Sequence, residues 1–177
     1  MWAISDRLYL GNYWSGEQAL AGAVVPHSVT ANEPNLFSGV VSLCPMPLDG
    51  AELLGPIHPD IQWLHLPISD GGLGDGEFAA ALEICLPFVT ERRAFGSVLV
   101  HCAAGMSRSV SVVAAILCND SADLSVDGAF RRIAEAKARA VGAPPEDADL
   151  LVAPAWEFHT HLRRRFAETS RRANGRS

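Results

Sequence analysis

The chain predicts an α/β fold, with a mainly parallel central sheet flanked by helices. Two observations carry this reading. Short apolar runs of strand length alternate with longer stretches of helical periodicity, and each run stops at proline, glycine or a polar cluster. The last such run, SVLV at 97–100, passes through a small-residue loop into a helix that is apolar on nearly all sides, as a helix covering the middle of a sheet must be.

The elements follow in order. Residues 1–20 hold short aromatic and aliphatic pieces around ISDRLYLGN, then a helix from Ser15. Residues 21–39, with Pro26, Pro34 and Gly39, form a connecting loop. VVSLC (40–44), closed by Pro45 and Pro47, is a buried strand. IQWLHLPI (61–68) alternates and then turns apolar, a second strand ended by Ser69-Asp70-Gly71-Gly72. The loop from there to Gly76 offers Asp75 as a helix N-cap. Phe78, Leu82, Cys85, Leu86 and Val89 recur at helical spacing, so a helix runs from Glu77 to about Arg93, kinked at Pro87. After SVLV come a central helix over Ser107–Leu117, a turn over Asn119–Ser125 and a strongly amphipathic helix over Val126–Ala140. Pro144-Pro145 breaks the chain. Asp147 opens a last helical region, interrupted at Pro154, that runs into a basic tail at about 163–177.

Composition bounds the function. The 177 residues read as one domain, without repeats or linkers, and the net charge of −6 argues against nucleic acid or an anionic membrane as a general partner. Asp6 and Arg7 fall where a signal peptide would need an apolar core, and Val112–Cys118 is too short an apolar run to span a bilayer. Cys44, Cys85, Cys102 and Cys118 form no CxxC pair, so a zinc site is not expected and reduced thiols in a cytoplasm are. His159 and His161, two residues apart, do not share a helical face, so no metal pair is expected there. Trp63, Trp156, Phe130 and Phe158 read as core. The tail arginines read as a solvated helix end.

The chemistry concentrates in VLVHCAAGMSRSV, residues 98–110. Ligands of open α/β sheets sit beyond the carboxyl ends of the strands, where Cys102 falls. Small residues there let successive N–H groups turn inward into an anion-binding nest, and the following helix adds its N-terminal dipole. Gly105 gives the loop its tight turn. Arg108 offers a two-pronged grip on a phosphoryl group, and the same field favours the Cys102 thiolate as a nucleophile. The phosphate-binding set is thus Ala103, Ala104, Gly105, Met106, Ser107 and Arg108. Ser109 is placed to donate a hydrogen bond to the Cys102 sulfur and ease its departure.

HCAAGMSRS resembles the HCxxGxxRS signature of the cysteine-dependent protein tyrosine phosphatases, closest to their dual-specificity branch. ISDRLYLGN resembles that family's opening segment, LPISDGG its general-acid loop, and the helix from Ser107 its post-loop helix. The resemblance covers roughly residues 4 to 150 and implies a single phosphatase catalytic domain over 1–177, with the basic tail at its end. It implies Asp70, 32 residues before Cys102, as the acid that protonates the leaving oxygen; Asp75 is the rival, and Asp49 a turn residue. His101 is implied as a buried orienter of the loop, and Arg139 as a possible second anion site. No counterpart of the phosphotyrosine-recognition loop is present, so a shallow pocket open to phosphoserine and phosphothreonine as well as phosphotyrosine is implied. A cysteine placed like Cys44 forms a disulfide with the nucleophile in some relatives, which makes Cys44 a possible redox partner. The expected partner is a phosphorylated protein, with no cofactor and, by default, a monomer. A phosphatase of phosphoinositides or RNA 5′-phosphates, and a non-catalytic phospho-residue binding module, stay open. The uncharged loop AAGMS favours the protein substrate over the first, and the combined presence of Cys102, Asp70 and Ser109 speaks against the second.

Overall fold

In the computed structural model of the protein, residues 1–26, 36–46, 56–72 and 76–174 are described, with side chains to residue 167. Strands β1 (Trp2–Ser5), β2 (Leu8–Gly11), β3 (Phe37–Ser42), β4 (Gln62–His65) and β5 (Ser97–His101) form one sheet in the order β1-β2-β5-β3-β4. Only β1 is antiparallel; β2, β5, β3 and β4 run parallel. The helices are α1 (Tyr13–Leu20), α2 (Gly76–Phe95), α3 (Arg108–Asp120), α4 (Val126–Val141) and α5 (Trp156–Asn174), with a 3-10 segment at Pro145–Leu151.

Strand alternation sorts the core into two layers. Val98 and Val100 of β5 pack with Leu8, Leu10 and Val41 and with apolar residues of α2, α3, α4 and α5. Leu99 points the other way, joining Tyr9, Val40, Ala19 and Leu20 beneath α1. From Arg108 to Cys118 every residue of α3 is buried, so it is the central helix that its all-round apolarity predicts. Phe78 of α2 stacks on Phe158 of α5 at 4.4 Å, tying the last helix to the core.

Several boundaries differ from the sequence reading. Two strands lie within the opening pieces, and α1 starts at Tyr13, two residues before Ser15, because the Asn12 side chain caps it by accepting from the Ser15 N–H at 3.1 Å. Strand β3 begins at Phe37, inside the expected loop, and ends at Ser42 rather than Cys44. Strand β4 ends at His65 rather than Ile68, since Pro67 has no N–H for the ladder. The flanking Leu66 and Ile68 amides still donate to the Ser42 and Leu43 carbonyls. Helix α2 runs through Pro87 as one helix, with Pro87 on its exposed side, where water can satisfy the freed carbonyl. Trp156 is not core: it is 74% exposed. Pro34, Pro47, Asp49 and Asp75 lie outside the described residues. Among those described, no helix is long and apolar enough to cross a membrane, and no cluster of His, Cys, Asp or Glu could hold a metal ion.

Candidate active site

Strand β5 sits in the middle of the sheet and delivers His101 and Cys102 to its carboxyl edge, with α3 starting at Arg108. The intervening loop curls around the Cys102 sulfur. The Gly105 N–H donates to Sγ at 3.3 Å, and Ser109 Oγ lies 3.2 Å from it. Cys102 is buried, while Ala103 and Ala104 are exposed at the rim.

The outward-facing groups of the loop are anchored from four directions. The Tyr13 N–H donates to the Ala103 carbonyl (3.0 Å), Lys137 Nζ to the Gly105 carbonyl (2.7 Å), and the Ala153 N–H to the Met106 carbonyl (2.8 Å). Ser107 Oγ accepts from the Ala155 N–H at 3.3 Å, and Ser107 precedes α3 rather than opening it. In a planar trans peptide the N–H points opposite to the C=O. Holding these carbonyls outward therefore aims the amides of Ala104, Met106 and Ser107 inward, and a nest of donors results. Gly105 has φ +72, and a Cβ there would lie 2.8 Å from the Trp2 ring and 2.9 Å from the Gly11 carbonyl oxygen, so no side chain fits.

Arg108 is held from behind. Its Nη1 donates to the carbonyls of Leu43 (3.2 Å) and Ile68 (3.1 Å), while its buried Nε has no partner among the described residues. Nη2 lies 3.3 Å from Asp70 Oδ2. The structure thus brings Asp70 to the loop, with half of its side chain exposed. The segment carrying Asp70 is fixed on both flanks: the Ser69 N–H donates to Glu77 Oε2 (2.9 Å), and the Gly72 N–H to Glu157 Oε1 (3.1 Å).

His101 is wholly buried, and burial pushes its pKa down to about 4. Its Nε2 lies 2.6 Å from Ser42 Oγ, which accepts from Trp63 Nε1 at 2.8 Å. The neutral ring and the serine hydroxyl share one hydrogen bond, whose direction follows the ring's tautomer. Gly16 leaves room for that ring, since a Cβ there would stand 2.2 Å from it. The unfolded chain binds a proton at this histidine below pH 6.5 and the folded chain does not, so stability falls as pH drops from 6.5 towards 4, by about 3 kcal/mol from this group. Urea titrations at pH 7 and 4.5 should show that loss, and His101→Asn should lack most of it. An equal loss in both proteins would contradict this account of His101.

Cys44 is buried, and burial, followed by the neighbouring Cys102 and against the pull of Arg108, pushes its pKa up to about 11. The two cysteines thus lie within electrostatic reach of each other, and all four cysteines are free. Arg139 is exposed on the last turn of α4 and makes no ion pair among the described residues. His159 pairs with Asp127 at 2.9 Å. Of the tail arginines, Arg163 pairs with Asp127 while staying 58% exposed, and Arg165 pairs with Glu83.

Sequence reasoning missed Lys137, Glu77, Glu157 and the supporting Tyr13 and Trp2. The two glutamates act through main-chain amides, for which no sequence pattern exists. Lys137 had a signal: it is the chain's single lysine, and it stands four residues after Ile133 and seven after Phe130, on the core face of an amphipathic helix.

Comparisons with known proteins bear on the fold. A family model described as the Rit1 DUSP-like domain matches residues 62–141. The dual specificity protein phosphatase Mpk3 of Drosophila melanogaster is 39% identical over 79 residues, which are 44% of this chain and 18% of that protein. Human DUSP28 superposes over 98% of this chain and 99% of its own, with TM-score 0.59 and 21% identity. The human tyrosine phosphatase-like serine/threonine/tyrosine-interacting protein does so over 96% and 97%, with TM-score 0.62 and 20% identity. PTPMT1, solved in complex with PI(5)P, does so over 96% of each chain, with TM-score 0.61 and 18% identity. The chain has the dual-specificity phosphatase fold and resembles those phosphatases in sequence.

Proposed function

We propose that the chain is a phosphoprotein phosphatase that hydrolyses phosphotyrosine, phosphoserine and phosphothreonine through a cysteinyl-phosphate. One observation carries this reading: a buried cysteine sulfur held by the Gly105 amide and the Ser109 hydroxyl, with Arg108 and Asp70 paired beside it. The dianionic phosphoryl group takes the place of the Asp70 carboxylate on Arg108 Nη2 and also meets the free Nε and the inward amides. The Cys102 thiolate attacks phosphorus, and Asp70, in its protonated form, gives its proton to the leaving oxygen. Asp70 as carboxylate then takes a proton from the water that attacks the phosphocysteine, and Ser109 donates to the departing sulfur. Positive charge and oriented amides neutralise the phosphoryl oxygens, so no step requires a metal.

The loop residues 103–107 bear no charge, and Lys137 turns its ammonium to their main chain, so the rim is fitted to a single phosphoryl group. That favours phosphoprotein over polyphosphorylated lipid. A panel of phosphopeptides, phosphoinositides, an RNA 5′-phosphate and an aryl phosphate, run with chelator, should show phosphopeptides hydrolysed fastest. Hydrolysis confined to the lipid or the RNA would replace the substrate class, and dependence on added metal would contradict the mechanism.

The single domain over 1–177, Arg139 as a second anion contact and Cys44 as redox partner belong to the same proposal. Peroxide converts the Cys102 thiolate to a sulfenic acid, and the Cys44 thiol displaces water from it to close a disulfide. Because Cys44 stays protonated at neutral pH, the trapping should be slow and should quicken as pH rises. After brief peroxide exposure, dithiothreitol should restore activity to the wild-type protein and much less to Cys44→Ser. Equal recovery in both would leave Cys44 a core residue only.

A further inference from the structure

Of the chain's 14 basic residues, 13 are arginines, and the one lysine is among the most deeply buried polar side chains of the molecule. Lys137 is 2% exposed. Its Nζ donates to the Gly105 carbonyl of the phosphate loop and to the Leu151 carbonyl at the end of the 3-10 segment, and it lies 4.4 Å from the centroid of the Trp2 ring. An ammonium has three tetrahedral donors, and carbonyl, carbonyl and aromatic face occupy three directions around it. No carboxylate pairs with Lys137 among the described residues, so its charge is spent on main chain and ring.

Resting on the phosphatase reading, we propose that Lys137 is the positioning residue of the phosphate loop: it pins the Gly105 carbonyl outward, so that the Met106 N–H faces the phosphoryl group, and it sets a buried positive charge behind the nest. The two effects share one cause. If the ammonium is lost, the Gly105–Met106 peptide is free to turn, and the bound anion loses both a donor and a nearby positive charge.

The surroundings fit this role. The Cys102 sulfur, when ionised, is the charge whose field reaches Lys137; β1 brings the Trp2 ring, and the 3-10 segment the Leu151 carbonyl. Glu146, Asp147 and Asp149 of that segment are exposed, Arg108 of α3 is engaged with Leu43, Ile68 and Asp70, and Glu157 of α5 with Gly72. Burial lowers the Lys137 pKa to about 8, against an upward pull from Cys102. An anion seated in the loop should pull it further upward.

Because Lys137 is the single lysine, protein labelled with 13C at lysine Cε yields one lysine resonance, from the intact full-length chain. Tungstate serves as the phosphate analogue and does not itself titrate between pH 6.5 and 10. The resonance should shift on tungstate binding, with its titration midpoint rising from near 8. Lys137→Met, which keeps the bulk over Trp2 but loses the charge, should bind tungstate roughly 10–100-fold more weakly, with its melting temperature showing that it is folded. A resonance and midpoint unmoved by bound tungstate would overturn the proposal, whether or not Lys137→Met folds. So would undiminished tungstate affinity in folded Lys137→Met. If the unmodified protein binds no tungstate and hydrolyses no phosphate ester, the phosphatase reading itself falls.

Discussion

Cys102→Ser protein should lose turnover by on the order of 10⁴–10⁶ while binding tungstate nearly as well as the parent. The sulfur's neighbours are the Gly105 N–H and the Ser109 hydroxyl, and neither is a base. A thiolate needs none, but a serine hydroxyl at the same place would have nothing to take its proton. The nest, Arg108 and the helix N-terminus are untouched by the change, so the affinity for an oxyanion should remain. Steady-state assays and calorimetry measure the two quantities separately. Substantial hydrolysis by pure Cys102→Ser protein would exclude Cys102 as the nucleophile.

Asp70→Asn should slow hydrolysis by roughly 10²–10⁴, with a larger loss for poor leaving groups such as a serine alkoxide than for a nitrophenolate. Asparagine keeps the loop contact to Arg108 but carries no transferable proton. The kcat/KM profile should be bell-shaped in the parent, since a thiolate and a carboxylic acid must coexist. Its acidic limb marks the group that must lose a proton, and its basic limb the one that must keep it. Asp70→Asn should flatten the basic limb over the range where Lys137 is still charged. If Asp75→Asn did so instead, the acid would be Asp75. The clamps from Glu77 and Glu157 predict a companion effect: Glu157→Ala should lower kcat more than it raises KM, because it loosens the loop that carries the acid and leaves the phosphate nest alone.

The parallel sheet and the tight loop after Cys102 were legible because both depend on local pattern. SVLV is a buried strand by composition, and the small residues after Cys102 leave little but a strand-to-helix turn to form. Strands β1 and β2 were not legible as strands: each is four residues long and only Asp6 and Arg7 separate them, so no period-2 pattern stands out. Asp70 was legible through its Gly-rich loop, yet its proximity to Arg108 is a tertiary fact, made by the Ile68 and Leu43 carbonyls that hold the guanidinium. Gly16 and Ser42 looked like ordinary helix and strand residues. Their roles appear only once β3 and β5 lie side by side, with Ser42 opposite His101. Trp156 was misjudged because an aromatic residue at a helix start is apolar whether or not anything covers it.

The account stands on a covalent bond between Cys102 and phosphorus, and a rapid-quench experiment tests it most directly. Ser109→Ala removes the hydroxyl 3.2 Å from the sulfur and should slow breakdown of the intermediate more than its formation. Mixed with an aryl phosphate and quenched in denaturant, that protein should carry one phosphoryl group, mapped by mass spectrometry to the peptide containing Cys102. A phosphoryl group on any other residue, or turnover continuing with Cys102 never modified, would contradict the account.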